Sequence, residues 1–132
     1  MLTKQCPRCG ETKPLTGFNR NKNKPRGIEH RCRDCERDQK LLRKYGITVA
    51  DFNDLLAAQK DGCAICGSLE PGGKGAFHVD HDHACCPGAM SCGRCVRALL
   101  CHRCNTLLGA AKDDVGMLTA AAEYLIHHEV CS

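Results

Sequence analysis

The stretch His78-Val79-Asp80-His81-Asp82-His83 brings three histidines and two aspartates into six consecutive positions, and Asn105 stands further on, directly after Cys104. A hard divalent cation such as Mg2+ or Mn2+ takes oxygen ligands, which Asp80 and the side-chain amide of Asn105 can supply. A neutral imidazole can accept a proton from water. In an extended strand His78, Asp80 and Asp82 face one side and His81 and His83 the other, so the strand must end near Asp80 for Asp80 and His81 to converge. His and Asp are also zinc ligands, so the same residues could build a metal site without catalysis.

A second chemistry is written in the cysteines. Of 13 in the chain, ten form the Cys-x-x-Cys pairs Cys6/Cys9, Cys32/Cys35, Cys63/Cys66, Cys92/Cys95 and Cys101/Cys104. Two thiolates three residues apart can take two corners of a tetrahedron around zinc, and two such pairs close the site. Cys6, Cys9, Cys32 and Cys35 make one quartet by order along the chain. Cys86, Cys92 and Cys95 need a fourth ligand, for which Cys85 is favoured over His83, with Pro87-Gly88 supplying the turn. A disulfide framework needs an oxidising compartment, and Met1-Leu2-Thr3-Lys4-Gln5-Cys6 carries no apolar export segment, so a reducing cytoplasm is expected. No run of ~18 apolar residues is present to span a membrane.

The elements that must position these groups are short. Between Cys9 and Cys32 lie 22 residues that read as a hairpin, with Leu15, Phe18 and Ile28 as the sizeable apolar groups, so the first module is a zinc ribbon. Helical, charged sequence runs from about Asp34 to Lys44 and stops at Gly46. Thr48 opens a second helix with Asp51 as its capping partner, Phe52, Leu55 and Leu56 as its core stripe, and Gly62 as its stop. After the Pro71–Gly75 loop, residues 77–81 and 96–100 read as strands separated by a Cys/Gly-rich loop. A helix begins near Cys101 and ends at Gly109. A last helix, capped by Asp113 or Asp114, carries Val115, Leu118, Ala122 and Leu125 on one face to close a small core. The fold class is therefore α+β, a small zinc-stabilised ββα unit behind an N-terminal ribbon. The expected organisation is a basic ribbon and linker helix at 1–45 and a second domain at 46–132.

Composition agrees with metal stapling: aromatic residues are 4% of the chain and Trp is absent, too little for a large aromatic core. The net charge of +4 hides an asymmetry. Residues 1–45 hold 13 Lys/Arg against 5 Asp/Glu, whereas residues 46–132 hold 6 against 10. The excess of positive charge survives a tetrathiolate zinc and points the first segment at phosphates, with DNA as the expected partner. Arg97 and Arg103 read either as phosphate clamps or as partners of Asp82 and Asp113. His30 and His102 read as surface or packing residues, and His127, His128 and Cys131 as a frayed tail.

Taken in order, Cys63-x2-Cys66, His78-Val-Asp-His-Asp-His83, Val96-Arg97-Ala-Leu-Leu-Cys101-x2-Cys104-Asn105 and Leu108-Gly109 resemble the recombination endonuclease VII family of HNH, or ββα-metal, nucleases over roughly residues 45–126. The resemblance implies a DNA endonuclease hydrolysing phosphodiester bonds. It implies a catalytic Mg2+ or Mn2+ held by Asp80 and Asn105, His81 as general base, and His83 and His78 as accessory histidines. It implies structural zinc on Cys63, Cys66, Cys101 and Cys104, two or three zincs in all, and pairing of two copies. Its setting would be a bacterial or bacteriophage-infected cell. The chain departs from the family at Leu108, where junction-cutting members carry a carboxylate, and in the insertion Cys85–Cys95. A catalytically silent zinc-ribbon protein that binds DNA is the alternative.

Overall fold

The computed structural model describes residues 2–129, so the expectation for Cys131 lies outside the described residues. Two short antiparallel strands, β1 (Thr3–Gln5) and β2 (Thr12–Pro14), pair with Lys4 opposite Lys13. The hairpin they form encloses the first Cys-x-x-Cys turn, closed by Gly10 N–H donating to the Cys6 carbonyl at 2.8 Å and Cys6 N–H donating to Glu11 at 2.9 Å. This corrects the expected placement, since between Cys9 and Cys32 the strand pairing is completed by β2 and a single Arg20–Ile28 bridge. The hairpin turns on the Cys6–Cys9 knuckle, and the segment after it has too few apolar groups to hold a longer ladder.

Helix α1 (Arg33–Tyr45) begins at Cys32 and has Asp34 and Glu36 in its first turn and Arg43 and Lys44 in its last. Those charges complement the helix dipole at both ends. Helix α2 (Val49–Ala58) opens on a reciprocal capping box: Thr48 N–H donates to Asp51 Oδ2, and Asp51 N–H donates to Thr48 Oγ1, both at 3.0 Å. It ends before Gly62, with Lys60 and Asp61 taking positive φ instead. Gly62 has a different duty: a Cβ there would lie 2.6 Å from the Gly67 carbonyl oxygen.

Strands β3 (His78–His81) and β4 (Val96–Leu100) form a second two-stranded sheet, followed by α3 (His102–Ala110) and α4 (Val115–His127). The ββα order agrees with the expectation. Helix α4 starts at Asp114, whose carboxylate accepts from Met117 N–H at 3.1 Å, but its apolar face does not close a core. Val115 and Leu125 are 76% and 65% exposed, and α4 has no buried residue. His127 is the last residue of that helix and His128 its C-cap, so neither belongs to a tail.

The chain divides into two compact units, one formed by residues up to Asp54 together with Asp82–Val96, the other by Leu55–His81 and Arg97 onward. The first buries Phe18, Ile28, Cys6, Cys32 and Cys35, with Leu15 against them. The second buries Cys63, Leu100, Cys101 and Cys104, with Phe77 and Leu108. Each apolar cluster is built on cysteines, so the residues that are buried are also those that could ligate a metal.

Candidate active site and metal centres

In β3 the burial does not alternate. His78 is half-buried, and Val79, Asp80 and His81 are all buried, at 7%, 8% and 4% exposure. Helix α3 packs against β3 and covers it. The strand ends at His81. Asn105 sits half-buried in the first turns of α3, its N–H donating to the Cys101 carbonyl at 2.9 Å, and its side-chain amide makes no hydrogen bond among the described residues. Cys101 is the N-cap of this helix, its sulfur accepting from Cys104 N–H, so the cysteine pair fixes the turn that carries Asn105.

A buried carboxylate needs a partner, and Asp80 finds it in Arg97 on the neighbouring strand. Arg97 Nε donates to Oδ2 at 2.7 Å and Nη2 donates to Oδ1 at 2.9 Å, a two-pronged fit, while Nη2 also reaches Asp113 at 3.2 Å. The hydrogen bonds that Arg97 donates to Asp80 hold its pKa above the ordinary value. Of the two readings left open for Arg97, the structure shows the carboxylate partner, with Asp80 and Asp113 as the carboxylates. Asp80 keeps a lone pair on each oxygen, because a carboxylate offers about four acceptor sites.

His78 meets a residue whose role the residue pattern did not reveal. His102, the first residue of α3, lies with Nδ1 3.4 Å from His78 Nε2, the ring centroids 5.5 Å apart. Burial, then the nearby His102 charge, pushes the His78 pKa down, favouring its neutral form. The Pro71–Gly73 loop covers this pair: His102 N–H donates to Pro71 at 2.7 Å, and a Cβ on Gly73 would lie 2.9 Å from the His102 ring. The signal in the sequence was the position of His102 inside Cys101-x-x-Cys104, next to a candidate metal ligand. His83 stands apart from β3, exposed in the turn that follows it.

Three cysteine quartets are assembled: Cys6, Cys9, Cys32, Cys35; Cys63, Cys66, Cys101, Cys104; and Cys85, Cys86, Cys92, Cys95, with all sulfurs of each within 4.8 Å of one another. Sulfur separations are 3.8 Å for Cys6–Cys35, 3.9 Å for Cys9–Cys32 and 3.7 Å for Cys66–Cys101. A tetrahedron with Zn–S of ~2.3 Å has edges of ~3.8 Å. A disulfide would need ~2.05 Å. All three quartets could therefore hold a tetrahedrally coordinated metal ion. Burial raises the Cys63 thiol, but the N–H groups of Cys101, Cys66 and Ile65 outweigh it and bring it down to about 6, while burial pushes Cys104 up to about 12. Cys6, lowered to about 6 by N–H groups against its burial, and Cys35, raised to about 12 by burial, repeat the split. Four thiolates could share so small a space only around a cation.

The donors around β3 and α3 suit a harder ion. Asp80 and Asn105 offer one carboxylate and one amide oxygen, and Mg2+ is commonly bound through one or two protein oxygens with waters and phosphate completing the shell. The residues present fit such a cation.

The first unit carries an exposed basic loop, Arg20, Lys22, Lys24 and Arg26, between the buried Phe18 and Ile28. Within that loop Arg26 Nη1 donates to the Thr3 carbonyl at 3.2 Å, and elsewhere in the unit Arg8 pairs with Asp38 at 2.8 Å, Lys13 with Asp34 at 3.3 Å and Arg31 with Glu36 at 2.8 Å. No helix among the described residues is long and apolar enough to cross a membrane.

No curated protein is significantly similar to the chain. The crystal structure of the beta-beta-alpha-Me type II restriction endonuclease Hpy99I is similar at 24% identity and a TM-score of 0.43, over 96% of this chain. The chain spans 66% of that enzyme's length. The family model for recombination endonuclease VII matches residues 37–127, a stretch that includes β3, β4, α3 and the Cys63–Cys104 quartet, and the chain belongs to that family.

Proposed function

We propose that this protein is a metal-dependent DNA endonuclease of the HNH type. The observation that carries the reading is the pairing of buried Asp80 and His81 at the end of β3 with a cysteine-anchored α3 that bears Asn105. Asp80 and Asn105 would hold a Mg2+ or Mn2+ ion. When bound, such an ion stabilises the charge that builds on the phosphate and leaving oxygen. His81 accepts the proton of the attacking water, and burial keeps it oriented. Arg97, donating to both Asp80 oxygens, fixes the carboxylate in plane. His78 and His83 orient the phosphate, leaving a 5′-phosphate and a 3′-hydroxyl. The first two cysteine quartets bind structural zinc, and the Arg20–Arg26 loop contacts DNA phosphates. Association of two copies belongs to this reading on the strength of the family alone, and sedimentation of the zinc-loaded protein checks it.

Nicking of supercoiled plasmid in Mg2+ or Mn2+, with EDTA as control, tests the activity. His81→Ala should lower the rate by ~10²–10⁴-fold, the usual contribution of a general base, while zinc content is kept. Retention of near wild-type cutting by His81→Ala would remove the mechanism. A silent DNA-binding module is favoured by one feature, the Arg97 fork across both Asp80 oxygens. Binding without nicking on linear, nicked and four-way DNA would establish that alternative.

A further inference from the structure

The segment between β3 and β4 carries a thiol cluster that the proposed cleavage chemistry does not use. Cys85 lies 3.8 Å from Cys92 and 4.0 Å from Cys86, and Cys92 lies 3.9 Å from Cys95, sulfur to sulfur. These separations match the ~3.8 Å edge of a tetrahedral zinc thiolate and are nearly twice a disulfide bond. Adjacent Cys85 and Cys86 are able to face one point because the turn before them is tight. The Asp82 carbonyl accepts from both Cys85 and Cys86 N–H at 3.1 Å, and Asp82 Oδ1 accepts from Ala84 N–H at 2.9 Å. Asp82, ahead of the cysteines, therefore closes a turn that was not anticipated from the sequence.

The same segment is seated on the C-terminal end of α1. Ser91 N–H donates to the Lys44 carbonyl at 2.7 Å, satisfying a helix-end acceptor, and Ser91 is itself buried. Gly46, the left-handed cap of α1 at φ 71°, touches the second knuckle so closely that a Cβ would lie 2.8 Å from the Cys92 carbonyl carbon. In return, a Cβ on Gly93 would lie 2.6 Å from the Gly46 carbonyl oxygen. Two backbones meet here without side chains between them. With little apolar surface in the segment, something else must hold it against the helix.

We propose that Cys85, Cys86, Cys92 and Cys95 bind a third zinc ion that clasps residues 82–96 to the end of α1, and that this zinc is the most readily lost of the three. Lability follows from exposure: in each of the other quartets three of four cysteines are buried, whereas here Cys85 and Cys92 are exposed and Cys86 and Cys95 only half-buried. His83 stands in the Asp82 turn, so the same ion fixes the backbone that presents it.

The test uses the full chain purified under reducing conditions with zinc supplied. Native mass spectrometry should give three zinc ions per chain, and Cys92→Ser/Cys95→Ser should give two. Competition with a colorimetric chelator should release one equivalent before the remaining two. Hydrogen exchange at the Ser91 amide should speed up in the double variant while the β1–β2 amides stay protected. If the variant does not fold, the wild type decides: protection of Cys85, Cys86, Cys92 and Cys95 from iodoacetamide until the first zinc leaves supports the site. Two zinc ions with those four cysteines alkylated in the native protein, or a mass deficit from disulfides among them, overturns the site. Three ions with unchanged Ser91 exchange in the variant overturns the clasp, and simultaneous release of all three overturns the lability. None of these measurements reads DNA cleavage, so their failure leaves the nuclease reading standing.

Discussion

In the proposed mechanism Asp80 offers an oxygen outward from a buried position, and Arg97 on the neighbouring strand supplies the ion-pair partner that a buried carboxylate requires. Removing one partner of a buried pair costs ~3–5 kcal/mol because the other charge is left desolvated. With the Arg97 side chain 40% exposed and that of Asp80 10% exposed, Arg97→Ala should fall at or below the low end of that range. Thermal melting of the zinc-loaded protein checks this, and Arg97→Ala/Asp80→Asn should recover part of the loss because the orphaned charge is gone. No recovery would mean that Arg97 acts through packing alone. Arg97→Lys should not restore the wild-type midpoint, since an ammonium cannot reproduce the two parallel hydrogen bonds. The Asp80 partner was not legible in the sequence. Asp82 and Asp80 are both acidic and near in sequence, and only the pairing of β3 with β4 selects Asp80.

Local signals at the helix ends were readable because they act over three or four residues. Thr48 and Asp51 form the reciprocal cap, so Thr48→Ala should cost ~1 kcal/mol, a lowered melting midpoint without change in metal content. Gly46 is different in kind. A left-handed cap residue other than Gly costs ~1 kcal/mol, but Gly46→Ala also drives a Cβ into the Cys92–Gly93 backbone, so its effect should clearly exceed that of an ordinary cap substitution. Comparing Gly46→Ala with Gly10→Ala, where positive φ is not accompanied by any close neighbour, separates the two contributions. Equal losses for the two would show that the close approach carries no energy. Helix α4 shows the limit of periodicity: its apolar positions follow helical spacing, yet they remain exposed, because spacing identifies a face and not what covers it.

For the molecule as a whole, the cysteine quartets and the charge set the expected responses to chelation and to salt. Chelation of all zinc should unfold both cysteine-built cores, since Phe18 and Leu99 are the largest fully buried side chains and no extensive apolar interior remains to replace the ions. Circular dichroism with EDTA and a stronger thiol-competent chelator reads that loss, and persistence of native helicity in the metal-free chain would contradict it. DNA affinity should depend on salt through the Arg20–Arg26 loop. Replacing Arg20, Lys22 and Lys24 by Ala should flatten the log–log salt slope by ~0.9 for each phosphate contact removed from duplex DNA. An unchanged slope would assign the phosphate contacts elsewhere.

The sequence by itself determined the chemistry on offer: the cysteine spacings, the His-Asp-His run, the basic first segment, the order of strands and helices around β3, β4 and α3. Each of these depends on residue type and separations of a few positions, which local geometry converts directly into knuckles, caps and strands. Tertiary structure alone decided which groups meet. It put Arg97 on Asp80, His102 beside His78, and residues 82–96 on the end of α1, although that segment lies between β3 and β4 in the chain. It also left α4 uncovered. These outcomes depend on contacts between residues far apart in sequence, where many pairings satisfy the same local pattern and only the packed backbone selects one.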